Sequence, residues 1–342
     1  MKMPDTASVS PLEGVDLLLA DLDGVVYTGR HALPYAVESI NRAQESIRVG
    51  YITNNASRTA DAVAQHLSDL GLRVTGDDVV TSPQAAIVLL EELVPPGSTI
   101  LVVGGEGLTS VVEQHGFRVT RSAEDDPAAV IQGFHPSVAW TDLAEAAFAL
   151  RVTTPGDPGI PWVATNTDWT IPQERGTAPG NGTLVSAVHT AVGRLPVVAG
   201  KPERPIFDAA IERFGAQRPL FLGDRLDTDV LGANRAGIAS ALVLTGIDGP
   251  KQVLAADAAS RPTFLFGDLR ELFEPYSAPD ESVEGADRVF TSGTSRVRLS
   301  GSSIRIDSAG DSDIELLRAG TAAVWGAGVP IYALDVDAGL YS

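Results

Sequence analysis

Asp21 and Asp23 close the apolar run Leu17-Leu18-Leu19-Ala20 within the stretch GVDLLLADLDGVVYTG, residues 14–29. A segment built for burial that ends in two carboxylates puts charge where open α/β sheets bind ligands, beyond the carboxyl ends of the strands. If the extended conformation persists through the pair, a spacing of two turns both side chains the same way. Two anions so placed repel, so either one holds a proton or a cation sits between them. Oxygen-only ligands beside a phosphate favour Mg²⁺.

Taken alone, Asp-x-Asp is equally compatible with a helix cap or a solvated turn. It also matches the metal-holding pair of glycosyltransferases that use nucleotide sugars. Three further stretches decide among these. YITNN brings Thr53, Asn54 and Asn55 to the end of a second short strand, and VVAGKP brings Lys201 to the end of another. FLGDRLDTD adds Asp224, Asp227 and Asp229. Lys201 stands out, because the only other lysines are Lys2 and Lys251 and the remaining cations are arginines. A carboxylate pair, a hydroxyl with loop N–H groups, an ammonium and further carboxylates suit phosphoryl transfer, which depends on positioning and charge stabilisation. Hydrolysis of phosphate monoesters can need accelerations of up to about 10²¹, beyond the reach of one pair of carboxylates. A glycosyltransferase has no evident use for this set.

The elements that must position these residues alternate along the chain. Residues 15–20 read as a strand apolar on both faces, residues 34–46 as a helix, RVGYITNN as a strand, residues 57–70 as a helix closed by Gly71, and VVTS as a strand. That order predicts a right-handed, doubly wound parallel sheet. A second alternating series runs from STILVVGG to the helix at 183–193. The first sheet is expected to resume at LPVVAG and continue through PLFLGD, SALVLTG and TFLFGD. The chain is therefore expected to be α/β, with a core over 12–83 and 195–275 and an inserted α/β cap over 84–194. After a polar linker at 276–286 comes a β-β-α-β extension over 287–342, with RVRLSG and SIRIDS as a hairpin. So short an extension can hardly bury a core alone. It is expected to dock on the main body or on a second subunit, an arrangement compatible with a homodimer.

Composition narrows the function from the other side. The chain has 342 residues, 44% of them apolar and 20% charged, an ordinary globular balance. Cysteine is absent, which excludes disulfides, thiolate zinc sites and thiol catalysis. A net charge of −19 argues against nucleic acid or an anionic membrane as partner. No apolar stretch is long enough to cross a bilayer, and the polar start MKMPDTASVSPLEG, read as a loose tail, lacks the apolar core of a signal peptide. A cytoplasmic location is the expectation.

DLDGVVYTG, YITNNASRT, GKPERPIF and GDRLDTDVLGANRAG, in this order, resemble the four motifs of the haloacid dehalogenase superfamily. The long insertion between the second and third, and the stretch ATNTDWTIPQERGTAPGNGTLVSAV, resemble its NagD-type phosphatases. The resemblance spans residues 14–275. It implies that Asp21 is a nucleophile forming an aspartyl-phosphate. Asp23 would protonate the leaving alcohol and then activate water, while its main-chain carbonyl ligates Mg²⁺ together with Asp21 and Asp224. Thr53, Asn54 and Asn55 would bind phosphoryl oxygens, and Lys201 would balance their charge. Asp229 would stand behind these groups, holding Lys201 or a metal-bound water. Asn166 and Asp168, in the loop-rich end of the insertion, either hold that loop or touch substrate, and the insertion itself would close over the site. The implied substrate is a small phosphate monoester, with glycerol 3-phosphate first and phosphoglycolate, a nucleotide or pyridoxal phosphate as alternatives. A binding or regulatory protein with a vestigial core is the reading from another class.

Weaker signals are set aside. In Arg30-His31, Ala32 replaces the glycine that histidine phosphatases carry, and the five histidines show no metal spacing. Gly200-Lys201-Pro202 is no P-loop, since Pro202 sits where a metal-binding hydroxyl belongs. Trp140, Trp162, Trp169 and Trp325 are expected to pack rather than form a sugar platform.

Overall fold

The computed structural model describes residues 10–152, 156–173 and 175–341. Residues 1–9, most of the stretch read as a loose tail, lie outside them. The chain forms two compact units, one from residues up to 48 with 218–342, the other from 49–217. Among the described residues, no helix is long and apolar enough to cross a membrane.

In the first unit, Leu17–Ala20 pairs in parallel with Pro219–Gly223, which pairs with Ala239–Val243, which pairs with Phe264–Phe266. All four residues of Leu17–Ala20 are buried, as a strand covered on both faces requires. Because the strands run the same way, their carboxyl ends gather at one edge. Asp21 and Asp224 each follow directly on such an end.

The same unit contains the carboxyl-terminal extension. Asp280–Glu284, Asp287–Ser292, Ser295–Ser300 and Ser303–Ser308 form an antiparallel meander, and Asp335–Val336 adds in parallel to the last of them. The expected hairpin is present, but part of the expected linker is a strand. All five residues of Asp280–Glu284 are exposed. Charge on an outer strand reads as linker in sequence, yet it is also how sheets blunt their edges. Ser295–Ser300 alternates buried and half-buried residues. Its buried face joins the helix Asp313–Gly326 in one apolar core that also includes Leu242, Val253 and Leu265 of the phosphatase-like part.

In the second unit, Arg48–Thr53 and Val79–Thr81 pair in parallel. A separate parallel sheet runs in the order Val197–Val198, Trp162–Ala164, Ala129–Gln132, Thr99–Val103, Arg118–Thr120. LPVVAG was expected to return to the first sheet, but its strand Val197–Val198 pairs with Val163 and Ala164 instead. A two-residue apolar strand carries too little pattern to say which sheet it joins. The stretch expected as Gly- and Pro-rich loop contains the hairpin Thr170–Gln173 with Gly176–Pro179. The helix Asn181–Val192 then packs Val185 and Val188 against Val103, Val130 and Trp162.

Candidate active site

At the carboxyl edge of the first unit, Asp21, Asp224 and Asp229 each offer an oxygen, and the three atoms lie within 4.8 Å of one another. Asp21 is 9% exposed, Asp224 2% and Asp229 0%. The main chain puts them there. The Asp21 N–H donates to Leu222 O at 2.8 Å, which carries the parallel pairing one residue past the strand. After Pro219–Gly223 the chain enters a π-helical turn, Leu226–Val230, that folds Asp229 back on the strand end. Asp229 Oδ2 then accepts from the Asp224 and Arg225 amides, both at 3.1 Å.

Asp224 is held as firmly by a segment that sequence reasoning missed, residues 245–249. The Ile247 N–H donates to Asp224 Oδ2 at 2.8 Å, and the Asp248 N–H donates to Asp224 O at 3.1 Å. Asp248 Oδ2 accepts from the Leu226 N–H at 2.7 Å, and Thr245 Oγ1 donates to Gly24 O at 2.7 Å. Burial pushes the Asp248 carboxyl above the usual range, and the Leu226 N–H partly opposes that shift. A Cβ on either Gly24 or Gly246 would overlap Asp224 Oδ2, and Gly24 also has a φ of +83°. Both positions therefore require glycine. Hard oxygen donors, buried together and held by neutral amides, fit a divalent cation.

Asp23 does not join this cluster. The strand ends at Ala20, the chain turns at Gly24, and Asp23 is exposed beside a bridge to Tyr27. The condition under which both carboxylates would point the same way, an extended conformation through the pair, is therefore not met. Asp227 is also exposed, where Arg225 pairs with it at 2.8 Å. Asp229, expected behind Asp21 and Asp224, has a carboxylate oxygen within 4.8 Å of theirs.

The second unit carries a different device, centred on Asn54. Its Nδ2 donates to both oxygens of Asp168, at 3.1 and 3.3 Å, and to Lys201 O at 3.1 Å. Its Oδ1 accepts from the Lys201 N–H at 2.8 Å. Its carbonyl accepts from Asn166 Nδ2 at 2.7 Å and from Ser82 Oγ at 2.8 Å. Asn166 is fixed in turn by Asn181, whose Nδ2 donates to its carbonyl at 2.7 Å. Lys201 is 3% exposed and Thr53 5%. Thr53 Oγ1 accepts from the Asn55 N–H, while the Asn55 side chain accepts from Ser57. The structure thus joins Asn54, Asn166, Asp168 and the Lys201 backbone in one network, with Thr53 beside it and Asn55 turned to solvent. Ser82 is not singled out in the sequence, since a lone serine in a helix-forming stretch carries no motif. Asn181 reads with the loop-rich end of the insertion as ordinary turn chemistry, whereas it opens the helix Asn181–Val192.

Residues 18–118 match the family model described as haloacid dehalogenase-like hydrolase, and residues 198–272 match a second, HAD-hydrolase-like model. The chain is 46% identical over 259 residues to D-glycerol 3-phosphate phosphatase of Mycobacterium tuberculosis, covering 76% of this chain and 71% of that protein. It therefore belongs to the haloacid dehalogenase-like hydrolases, and its fold is their Rossmann-like core with an added cap. Among solved structures, it superimposes on glycerol phosphate phosphatase of M. tuberculosis in complex with magnesium with a TM-score of 0.81 at 40% identity. The match covers 96% of this chain and 95% of that one. The 4-nitrophenylphosphatase of Thermotoga maritima matches with a TM-score of 0.69 at 31% identity, over 77% of this chain and 97% of that one. These relatives bear out the resemblance drawn from the four motifs.

Proposed function

We propose that this enzyme hydrolyses glycerol 3-phosphate to glycerol and phosphate, with Mg²⁺ as its divalent metal. The convergence of three buried carboxylates at adjacent strand ends is the observation that carries the reading, and the phosphatase relatives agree with it. Asp21, Asp224 and the Asp23 carbonyl would hold the metal, with Asp229 completing the acidic set. When bound, Mg²⁺ would offset the charge of the phosphoryl group and of the carboxylates around it.

The chain's own residues do the rest. An Asp21 oxygen attacks phosphorus, and the bond to the ester oxygen breaks. Asp23, exposed and outside the acid cluster, gives its proton to the leaving glycerol oxygen. Water deprotonated by the same carboxylate then attacks the phosphorus of the aspartyl-phosphate, returning Asp21 and releasing phosphate. As the motif resemblance implies, Thr53, the Asn54 main-chain amide and the Lys201 ammonium would bind the phosphoryl oxygens; Asn55 supports Thr53, to whose Oγ1 its N–H donates. The Asn54 side chain is already committed to Asp168 and Lys201, so its part is to hold that loop in shape.

A panel of phosphate esters compared by kcat/KM, with and without a chelator, tests this reading. The expected result is activity abolished by chelation, restored by Mg²⁺, and highest for glycerol 3-phosphate. A preference for phosphoglycolate, a nucleotide or pyridoxal phosphate would keep the chemistry and replace the substrate. Chelator-resistant activity would overturn the metal assignment.

A further inference from the structure

We propose that the carboxyl-terminal extension is a buttress for the acidic site, setting the geometry of Asp224 through the segment 245–250. The inference rests on the metal-dependent reading above and adds a role for residues that carry no catalytic motif. The physical path is short and lies within one compact unit. Residues 245–249 clamp Asp224: Ile247 donates to its carboxylate, Asp248 donates to its carbonyl, and Gly246 makes room for it. That segment runs without interruption into the five-residue helix Pro250–Leu254.

The extension grips this helix. Trp325 Nε1 donates to Val253 O at 3.3 Å. Val253 and Leu254, both fully buried, share an apolar core with Leu316, Leu317 and Val324 of the helix Asp313–Gly326. The same core takes in Leu226 and Val230, the two ends of the turn that carries Asp229. A second anchor fixes the helix to the sheet. Arg318, 4% exposed, donates to Leu265 O at 3.0 and 2.7 Å, pairs with Glu271 and lies 4.1 Å from the Tyr276 ring centre. A buried guanidinium with several partners at once fixes one docked position, since any slip leaves charge or a carbonyl unpaired. Removing packing from this seam therefore loosens the segment that holds Asp224, although no residue of the extension reaches the carboxylates in the network described. Trp325 and Leu317 are positioning residues in this scheme.

The test uses the full chain and measures Mg²⁺ binding by calorimetry alongside turnover of 4-nitrophenyl phosphate. Trp325→Phe keeps an aromatic side chain but loses the donor and part of the indole's bulk, and Leu317→Ala opens a cavity in the seam. Val103→Ala, in the other unit, supplies a core cavity away from the path. We expect the two seam variants to weaken Mg²⁺ binding by roughly 2- to 30-fold, the range of mutations along coupled networks. Their KM for the ester at saturating Mg²⁺ should be unchanged, and Val103→Ala should lower the melting temperature with Mg²⁺ affinity intact. If Leu317→Ala fails to fold, Trp325→Phe carries the test alone. Wild-type Mg²⁺ affinity in folded seam variants would overturn the buttress, as would equal weakening in Val103→Ala. A wild-type chain that neither binds Mg²⁺ nor turns over the ester would instead overturn the underlying metal-dependent reading, and the buttress with it.

Discussion

Carboxylates are used in opposite ways at the strand-end site and on the outer face of the extension. On the extension, Arg288 pairs with Glu281 at 2.6 Å, Arg298 with Glu284 at 2.9 Å and with Asp287 at 3.5 Å, and Arg305 with Asp335. At the strand ends, Asp224 and Asp229 accept instead from the main-chain amides of residues 224, 225 and 247. An arginine partner cancels charge, whereas an amide fixes an oxygen and leaves the charge in place. The first arrangement makes a soluble, well-ordered sheet face; the second makes a place where a cation is needed. Exposure separates them as well, since the ladder lies at the surface, where solvent screens each pair and leaves it little net stabilisation.

The sharpest way to break this contrast is to remove charge at the buried end. Asp21→Asn preserves size but removes the charge and the nucleophilic oxygen, and should lower kcat by at least roughly 10⁴-fold. Circular dichroism should show the fold unchanged. Asp23→Asn should cost about 10²–10⁴ in kcat on glycerol 3-phosphate and much less on 4-nitrophenyl phosphate, whose leaving group needs little protonation. Equal losses on both esters would remove Asp23 from acid catalysis. Asp168→Ala takes the anionic partner from Asn54 and should lower kcat/KM about tenfold, the scale of one lost charged hydrogen bond. An unchanged kcat/KM would make that network irrelevant to turnover.

At the small end stands the ladder. Arg298→Ala should lower the melting temperature only slightly and leave both kcat and Mg²⁺ affinity unchanged. Its pH dependence has a definite sign. Hydrogen bonds from arginines hold the Glu281 and Glu284 carboxyls below the usual range. Their stabilisation is therefore present above the ordinary Glu pKa and is lost as pH falls through the depressed values. A melting-temperature series across the acid range, compared between wild type and Arg298→Ala, reads it. Curves that stay parallel down to the lowest pH would show that the ladder contributes nothing measurable.

The parts of this molecule that could be read from sequence are those where pattern and geometry coincide. Leu17–Ala20 is apolar throughout because it is covered on both faces, and it ends at Asp21 because the ligand edge begins there. Asp21, Asp224 and Lys201 were visible because each is a charge at the end of an apolar run, and Asp229 because it belongs to the acidic stretch that follows Asp224. The exposed position of Asp23 was not, because the strand ends at Ala20 and the chain turns at Gly24 instead of continuing extended through the pair. The clamp at 245–249 was hidden for a different reason: its donors to Asp224 are main-chain N–H groups, which every sequence offers equally. Val197–Val198 and Asp280–Glu284 show the remaining limit. Short or charged strands are defined by the neighbour they pair with, and that neighbour is remote in sequence.

The central claim is that Asp21 takes the phosphoryl group from the ester, and rapid-quench trapping tests it most directly. The enzyme is mixed with Mg²⁺ and glycerol 3-phosphate carrying radiolabelled phosphorus, quenched in cold acid within milliseconds, digested, and mapped by peptide. The account predicts label on the peptide containing Asp21, formed at least as fast as glycerol is released, and none in Asp21→Asn. Steady turnover with no labelled peptide at any time, or label on a different residue, would contradict it.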